Sequence, residues 1–257
     1  RLQVFQNASI CDITAQDEFD LSRPGREKCA FFCISSDQDS TFDFLSSLFF
    51  SFLFIKLVRY ADAEGADGKL PIGVNFVLDE FPNLGVINDF KKKISTVRSR
   101  NIGISVIFQN IAQLKNRYPN DEYLEILGNC DTQIALGCTD EVTARFISNR
   151  TGEVTIDVNS QSKQLYAMRM TDYTPEYRET NSVGRRKLMT ADEVLRMPLD
   201  EALIILRGQN VFKVKKFDYT RHPESRKLKK CKAAAYIPDW RKEKEDDSIV
   251  QSVEDTI

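Results

Sequence analysis

Short apolar runs alternate with helical segments along most of this chain, and this alternation limits the possible folds more than any other feature. The runs at 28–35, Val74–Leu78, 102–108 and 132–136 predict four buried strands. Parallel neighbours need long crossover connections, whereas antiparallel ones can be joined by a tight turn. Strands separated by helices therefore predict an α/β fold with a mainly parallel sheet flanked by helices.

Helical periodicity fills the intervals between these runs. The predicted helices cover 39–62, 87–100, 111–117, 121–127 and 140–149. The most apolar stretch of the chain, 42–58, lies in the first of them. It contains Asp43 and Lys56, and its uninterrupted part is too short to cross a bilayer, so we expect a buried core helix.

The last third of the chain changes character. Residues 157–186 are polar and lack periodicity, which predicts a long excursion or a partly mobile loop. Thr190 and Glu193 form a capping box that starts a short helix over 190–197. The runs at 202–207 and 210–217 are nearly contiguous and predict a hairpin at one edge of the sheet.

Composition narrows the function classes. The formal net charge is −2, so no overall field draws the molecule to nucleic acid. Six scattered cysteines without a CxxC pair, together with the single His222, argue against zinc and favour a reducing compartment. Cys29 and Cys33 are expected to be buried thiols on one face of the first strand.

Two carboxylates, Asp79 and Glu80, follow the strand Val74–Leu78. Open α/β sheets bind ligands at the carboxyl ends of their strands. In P-loop motors the first acid holds Mg²⁺, usually through water, because this cation prefers oxygen ligands. The second acid takes the proton of the attacking water. A plain solvated sheet edge is the alternative.

Gln109 follows the next strand, so its amide is expected beside the two acids, where it would sense the γ-phosphate or position the lytic water. The alternative is that Gln109 caps the following helix. Arg98 and Arg100 end the intervening helix, and an arginine there would suit phosphoryl-transfer charge across a subunit boundary. A solvated helix end is the alternative for both arginines.

The phosphate-binding pattern GxxxxGK[ST] does not occur in the sequence; residues 65–70 lack both its spacing and its hydroxyl. That loop supplies the amide groups and the lysine that grip a triphosphate. We therefore expect the chain alone to bind ATP poorly and to be inactive as an ATPase, as a fragment of a longer protein would be.

Four linked motifs resemble the type IV secretion coupling proteins of the TraG/TraD family. They are LDEFPNLG at 78–85, IFQNIAQLK at 107–115, LGNCDTQ at 127–133 and KLMTADEVLRMP at 187–198. The resemblance covers roughly residues 1–220. It implies a RecA-like P-loop NTPase core that lacks the Walker A segment, with residues 1–20 leaving an inserted all-helical domain and 21–220 forming the second part of the motor domain.

The resemblance also implies the function of a longer parent protein. Such a parent is a membrane-anchored, hexameric ATPase of the bacterial inner membrane that uses ATP and Mg²⁺ and delivers a relaxase-bound single DNA strand to the channel proteins of a conjugation system. The present chain would belong to its cytoplasmic domain, without a transmembrane segment. By motif position, Asp79 resembles the Mg²⁺ carboxylate, Glu80 the catalytic base, Gln109 the sensor and Arg98 the trans-acting arginine.

Two other functions fit the same residues. One is a non-catalytic RecA-like module that docks protein or DNA, and the other is part of a different hexameric DNA translocase. The Asp-Glu and Gln positions alone do not separate these from a coupling protein. The strings at 127–133 and 187–198 favour the coupling protein.

The C-terminal part is dominated by charge. Residues 213–232 hold nine Lys/Arg against two acids, and 221–257 are predicted to form a flexible charged tail. Candidate contacts to DNA phosphates are Lys213, Lys215, Lys216, Lys227, Lys229 and Lys230. Tyr236 and Trp240 are candidates for stacking on bases. A solvated extension whose charges keep the protein soluble is the alternative.

Overall fold

The computed structural model describes residues 5–15, 20–35, 40–163 and 177–230. The chain divides into two compact units, Arg1–Lys216 and Phe217–Ile257. The first unit contains the helices and strands described below. In the described part of the second unit there are two 3₁₀ turns, Tyr219–Arg221 and Pro223–Lys227.

The first unit alternates helices and strands. The helices are α1 (Ala8–Thr14), α2 (Asp43–Glu64), α3 (Phe90–Thr96), α4 (Ile111–Arg117), α5 (Glu122–Gly128), α6 (Glu141–Thr151) and α7 (Ala191–Leu195). The strands are β1 (Val74–Leu78), β2 (Ile102–Val106), β3 (Thr132–Ala135), β4 (Glu153–Lys163), β5 (Tyr177–Lys187), β6 (Glu201–Leu206) and β7 (Phe212–Lys215). Shorter 3₁₀ turns at Phe81–Asn83 and Val97–Arg100 join β1, α3 and β2.

Three sheets connect the described strands. β1 and β2 pair in parallel, with Val74 opposite Ile102 and Leu78 opposite Val106. β3, β6 and β7 form an antiparallel sheet in that order, and β4 pairs antiparallel with β5. The predicted α/β class is confirmed, as is the hairpin formed by β6 and β7.

The main core lies between α2 and the β1–β2 pair. The α2 side chains Leu53, Phe54 and Leu57 are buried, and the ring of Phe54 stacks on Phe76 of β1 with 4.1 Å between centroids. Among the described residues, α2 is also the one helix whose length and composition would allow it to cross a membrane. One face of α2 is therefore committed to the core, while Leu48 and Ile55 remain partly exposed.

The predicted strand at 28–35 is wrong. These residues form no helix or strand, and Phe32 and Ile34 are 87% and 72% exposed. Cys29 and Cys33 are exposed as well, against the expectation of buried thiols. A strand forms where a neighbour takes up its backbone hydrogen bonds. Among the described strands, β1 pairs with β2 and none pairs with 28–35.

The predicted loop at 157–186 is also wrong for its described residues. β4 and β5 pair over eleven residues each, from Glu153 opposite Lys187 to Lys163 opposite Tyr177. Val154, Ile156 and Val158 alternate along β4 and lie on one face, which is a strand pattern that the polar composition conceals. Residues 164–176 lie outside the described residues.

The capping box at the start of α7 is confirmed. The Thr190 amide donates to Glu193 Oε2 at 2.8 Å, and the Glu193 amide donates to Thr190 Oγ1 at 3.3 Å. Both bonds satisfy amide groups that the first turn of a helix leaves without a partner. The cap thereby fixes where α7 begins, directly before the β6–β7 hairpin.

Two leucines of α2 provide a matched test of which face packs in the core. Leu57 is fully buried and Leu48 is 38% exposed. We expect Leu57→Ala to lower the free energy of unfolding by about 2–5 kcal/mol, because it leaves a cavity. Leu48→Ala should cost less than about 1 kcal/mol. Urea denaturation followed by circular dichroism measures both, and equal losses would contradict this packing.

Candidate functional site

The parallel register of β1 and β2 brings the residues that follow both strands to one edge. Beyond the last strand pair, the Ile107 amide donates to the Leu78 carbonyl at 2.9 Å, and the Phe81 amide donates to the Ile107 carbonyl at 2.9 Å. The two backbones therefore stay paired past the ends of the strands. Glu80 and Gln109 leave the sheet side by side as a result.

Gln109 and Glu80 are in direct contact. The Gln109 Nε2 donates to Glu80 Oε1 at 3.0 Å, and the Asn83 Nδ2 donates to Glu80 Oε2 at 3.4 Å. Two neutral amides thus hold the two oxygens of one carboxylate. The helix after Gln109 is capped by Asn110, whose side chain accepts from the Gln113 amide at 2.9 Å. The capping alternative for Gln109 therefore does not apply.

Asp79 lies exposed directly beside this pair. Its Oδ1 accepts from the Glu80 amide at 3.1 Å. Among the described residues there is no group of three or more His, Cys, Asp or Glu side chains able to hold a metal ion. Mg²⁺ is usually bound by one or two carboxylates together with waters and substrate phosphates, so Asp79 as the one protein ligand would fit that cation.

The backbone at Glu80 is in the left-handed region, with φ 47° and ψ 42°. This conformation costs a residue with a side chain about 1–2 kcal/mol and is held only where the surroundings fix it. The next residue supplies the fixing contacts: Phe81 is fully buried, its ring 5.2 Å from Tyr118 and 4.6 Å from Phe90. Burial of Phe81 therefore orients the Glu80 carboxylate towards β2.

The loop after Phe81 is anchored at two further points. Arg117 Nε donates to the Pro82 carbonyl at 2.6 Å, and the Arg117 guanidinium lies 3.5 Å from Asp43 Oδ2. Gly85 has φ 79°, and a Cβ there would come within 2.7 Å of the Asp43 carbonyl oxygen. Sequence reasoning missed Asn83, Phe81 and Arg117 as supports of the site. The FPNLG string after the two acids was the available signal for the first two.

The two candidate arginines differ in exposure. Arg98 lies in the turn before β2 and its side chain is 84% exposed, paired with Asp131 at 2.8 Å. Arg100 is 26% exposed and makes a 2.9 Å ion pair with Asp62. Because both precede β2 while Gln109 follows it, the structure does not bring Arg98 next to Glu80 and Gln109.

The candidate DNA-binding lysines belong to both units. Lys213 pairs with Glu201 at 2.6 Å, Lys215 with Asp200 at 3.7 Å and Lys227 with Glu224 at 2.8 Å. Lys216 donates to the Leu136 carbonyl at 2.5 Å. Four of the six lysines thus have partners within their own unit. Tyr236 and Trp240 lie outside the described residues.

The comparisons with known proteins decide the family. The family described as "Type IV secretory system Conjugative DNA transfer" matches residues 1–244. The chain belongs to that family. The resemblance to coupling proteins drawn from the four motifs is confirmed.

Relatives in the conjugative DNA-transfer family include the protein VirD4 of Rhizobium rhizogenes, which is 24% identical over 84% of this chain and 31% of its own length. The conjugal transfer protein TraG of Escherichia coli is 34% identical over 54% of this chain and 22% of its own length. The chain therefore spans about a third or less of these relatives.

The fold of the chain resembles that of a solved member of the same group. The bacterial conjugative coupling protein TrwB, in a form called TrwBdeltaN70, matches 70% of this chain and 38% of its own, with a TM-score of 0.50 and 16% identity. A TrwB structure in complex with ADP and Mg²⁺ matches 71% of this chain and 40% of its own, with a TM-score of 0.50 and 15% identity. The chain thus has the RecA-like P-loop NTPase fold that the motifs implied.

Tyr118, whose ring stacks on Phe81, allows the packing beside the site to be tested by measuring stability as a function of pH. Burial raises the pKa of Tyr118 to about 12, whereas a tyrosine in an unfolded chain has a pKa of about 10. The folded protein thus favours the neutral phenol, a contribution to stability that is complete below pH 10. As the pH rises from about 10 to about 12, the unfolded chain releases this proton first, and the contribution is lost.

The Tyr118→Phe variant isolates this contribution. At pH 7 we expect it to cost about 1 kcal/mol, because the Ile87 amide loses the phenol oxygen that it donates to at 3.3 Å. Above pH 10 the difference in the free energy of unfolding between wild type and variant should shrink, since the variant lacks the late-ionising group. Urea denaturation at several pH values measures the difference. A gap that stays constant up to pH 12 would contradict the buried, neutral phenol.

Proposed function

We propose that this chain supplies the water-activating side of the ATPase site of a conjugative coupling protein. The observation that carries the proposal is the 3.0 Å contact between Gln109 Nε2 and Glu80 Oε1 at the common edge of β1 and β2. Two neighbouring parallel strands thereby present a base and an amide together, at the edge where α/β sheets bind ligands. A solvated strand end requires no such contact.

Hydrolysis at this edge follows from the roles of the two side chains. A water molecule bound beside the Gln109–Glu80 pair attacks the γ-phosphorus of ATP, and its proton passes to the Glu80 carboxylate. The new bond joins the water oxygen to phosphorus, the bond to the β–γ bridging oxygen breaks, and ADP leaves with that oxygen. Mg²⁺, held by Asp79 through water, would neutralise phosphate charge. The TrwB structure in complex with ADP and Mg²⁺ supports the proposal that the parent binds an adenine nucleotide and Mg²⁺.

The remainder of the site and the assembly belong to the parent protein in this proposal. The phosphate-binding loop comes from the part of the parent that this chain does not span. The parent is anchored in the inner membrane, forms a hexamer, and delivers a relaxase-bound DNA strand to type IV secretion channel proteins. The family membership of residues 1–244 supports this role in conjugation.

Arg98 is the arginine that we assign to the site of a neighbouring subunit. Its side chain is exposed, whereas Arg100 is largely covered and engaged by Asp62. In the ring that we propose, subunits associate head to tail, with the amino edge of one sheet against the carboxyl edge of the next, so that an exposed arginine there approaches the neighbour's nucleotide. Among the six candidate lysines, Lys229 and Lys230 are the exposed ones that have neither an ion pair nor a side-chain hydrogen bond within the described residues, and we assign DNA contact to them first.

Glu80→Gln tests the assigned base in the complete parent protein. The amide keeps the shape of the side chain but does not accept the proton of the attacking water, so we expect kcat for ATP hydrolysis to fall by about 10²–10⁴-fold. Nucleotide affinity should be unchanged. Glu64→Gln, at the exposed end of α2, is the matched control. Steady-state hydrolysis and equilibrium binding measure the two quantities, and hydrolysis at the wild-type rate in the Glu80 variant would exclude Glu80 as the base.

The exposed β4–β5 ribbon favours docking as a second function of the same chain. Between Thr155 and Arg185 both strands present almost all of their side chains to solvent. At the base of the ribbon, the ion pair of Glu153 with Lys187 at 3.1 Å joins the two strands to each other. The ion pair of Arg186 with Glu193 of α7 fixes the ribbon to the rest of the unit. A long ribbon with two free faces suits contact with the relaxase–DNA substrate or an accessory protein.

Shortening the ribbon separates docking from catalysis. Thr155 and Arg185 are opposite each other, so an Asn-Gly turn inserted directly between them closes a shorter hairpin without changing the register below. In the complete parent we expect ATP hydrolysis to be unchanged and DNA transfer between cells to fall at least about tenfold, the loss of about 1.4 kcal/mol of binding. Transfer at the wild-type frequency would reject a docking role for the ribbon.

A further inference from the structure

A second exposed arginine lies beside Arg98, and one carboxylate holds both. Asp131 Oδ2 is 2.8 Å from Arg98 Nη1, and Asp131 Oδ1 is 3.3 Å from Arg207 Nη1. The backbone of Arg207 is fixed as well, because its amide donates to the Asp131 carbonyl at 3.0 Å. Both guanidinium groups are more than four-fifths exposed. Two cations from distant parts of the chain are thus placed side by side.

Stability does not account for this cluster. Ion pairs between exposed side chains contribute about 0–1 kcal/mol, and two arginines competing for one carboxylate repel each other. One unit of positive charge is left over, and most of the ten N–H donors of the two guanidinium groups remain free for another acceptor. Arginine binds phosphate oxygens through paired N–H donors, so the cluster suits a polyphosphate.

The cluster lies at the opposite edge from Glu80 and Gln109. Asp131 directly precedes β3, Arg207 directly follows β6, and Arg98 lies in the turn that precedes β2. Leu206 is opposite Thr132 in the β3–β6 ladder, which brings Arg207 to the amino end of β3. Since β2 has five residues, each advancing about 3.3 Å, the two edges are about 15 Å apart. A single molecule does not bring its own arginines to its own acids.

We infer that Arg207 acts with Arg98 across the subunit boundary, on the nucleotide held at the Glu80 edge of a second copy of the parent. Asp131 is a positioning residue that fixes both guanidinium groups. This inference rests on the proposed function. The two arginines then stabilise the negative charge that develops on the phosphate oxygens as the bond between the γ-phosphorus and the β–γ bridging oxygen breaks. Asp79 and Glu80 make the opposing edge acidic, so the two edges attract each other in a ring.

The first measurement is ATP hydrolysis by the complete parent carrying Arg207→Ala. We expect kcat to fall by about 10–10³-fold, in the range found when one charge-stabilising donor or an arginine of this kind is removed. The apparent thermal midpoint should stay at the wild-type value, because the lost ion pair is exposed. Arg145→Ala is the matched control, since Arg145 is also an exposed arginine in an ion pair, with Glu141 at 2.6 Å. A kcat equal to that of the control would overturn the assignment.

Mixing variant subunits decides whether Arg207 acts on its own subunit or on its neighbour. Arg207→Ala subunits keep Glu80, and Glu80→Gln subunits keep Arg207. Where Arg207 of a Glu80→Gln subunit faces Glu80 of an Arg207→Ala subunit, that interface has both residues. We expect rings reassembled from both to hydrolyse ATP severalfold faster than either alone. Asp131→Ala should be rescued in the same way. A mixture no faster than its components would overturn action in trans.

The same experiment separates this inference from the proposed function. If Glu80→Gln alone hydrolyses ATP at the wild-type rate, Glu80 is not the base and the proposed function fails. The kcat of Arg207→Ala alone then still tests the role of Arg207. If Glu80→Gln is inactive but does not rescue Arg207→Ala, only the trans arginine is wrong. ATP hydrolysis by Arg207→Lys is a second measurement, because a lysine keeps the positive charge but lacks the paired N–H donors of arginine. Full activity in that variant would reject the paired contact with phosphate.

Discussion

The candidate site depends on the parallel pairing of β1 with β2. That register sets Leu78 opposite Val106, and the following backbone bonds keep the two chains together as far as Phe81. Gln109 reaches Glu80 because both chains leave the sheet in the same direction and in register. A slip of one residue would turn one of the two side chains to the other face of the sheet. Strand pairing thus determines which positions of the chain meet at this edge, whichever side chains occupy them.

Packing beneath the loop completes what pairing begins. Glu80 has a backbone conformation that a residue with a side chain adopts only when its neighbours enforce it, and Phe81 is the neighbour that does so. Phe81 contacts Phe90 and Tyr118, which belong to α3 and the end of α4. The carboxylate is therefore positioned by the core that also holds α2. Stability of the core and geometry of the site are two results of the same contacts.

What could be predicted from the sequence was local in origin. The strand Val74–Leu78, the capping box of α7 and the adjacency of Glu80 and Gln109 follow from periodicity, cap chemistry and the direction of parallel strands. The segment 28–35 has a strand sequence but no described partner, and strand formation depends on a partner as much as on composition. The β4–β5 ribbon was missed for the opposite reason, since cross-strand pairing orders a sequence that looks like a loop by itself.

The Asp131 cluster shows why sequence reasoning did not find Arg207, which we infer to act with Arg98. Arg98 and Arg207 are more than a hundred positions apart, and only the β3–β6 ladder brings the second to the first. A motif search finds residues near one another in the chain, whereas antiparallel pairing joins residues that no motif contains together. The strand direction that gathers Asp79, Glu80 and Gln109 at one edge sends Arg98 and Arg207 to the other. The β1–β2 edge that carries the candidate nucleotide site is therefore separated from these arginines, and a second copy of the molecule is the simplest way to bring them together.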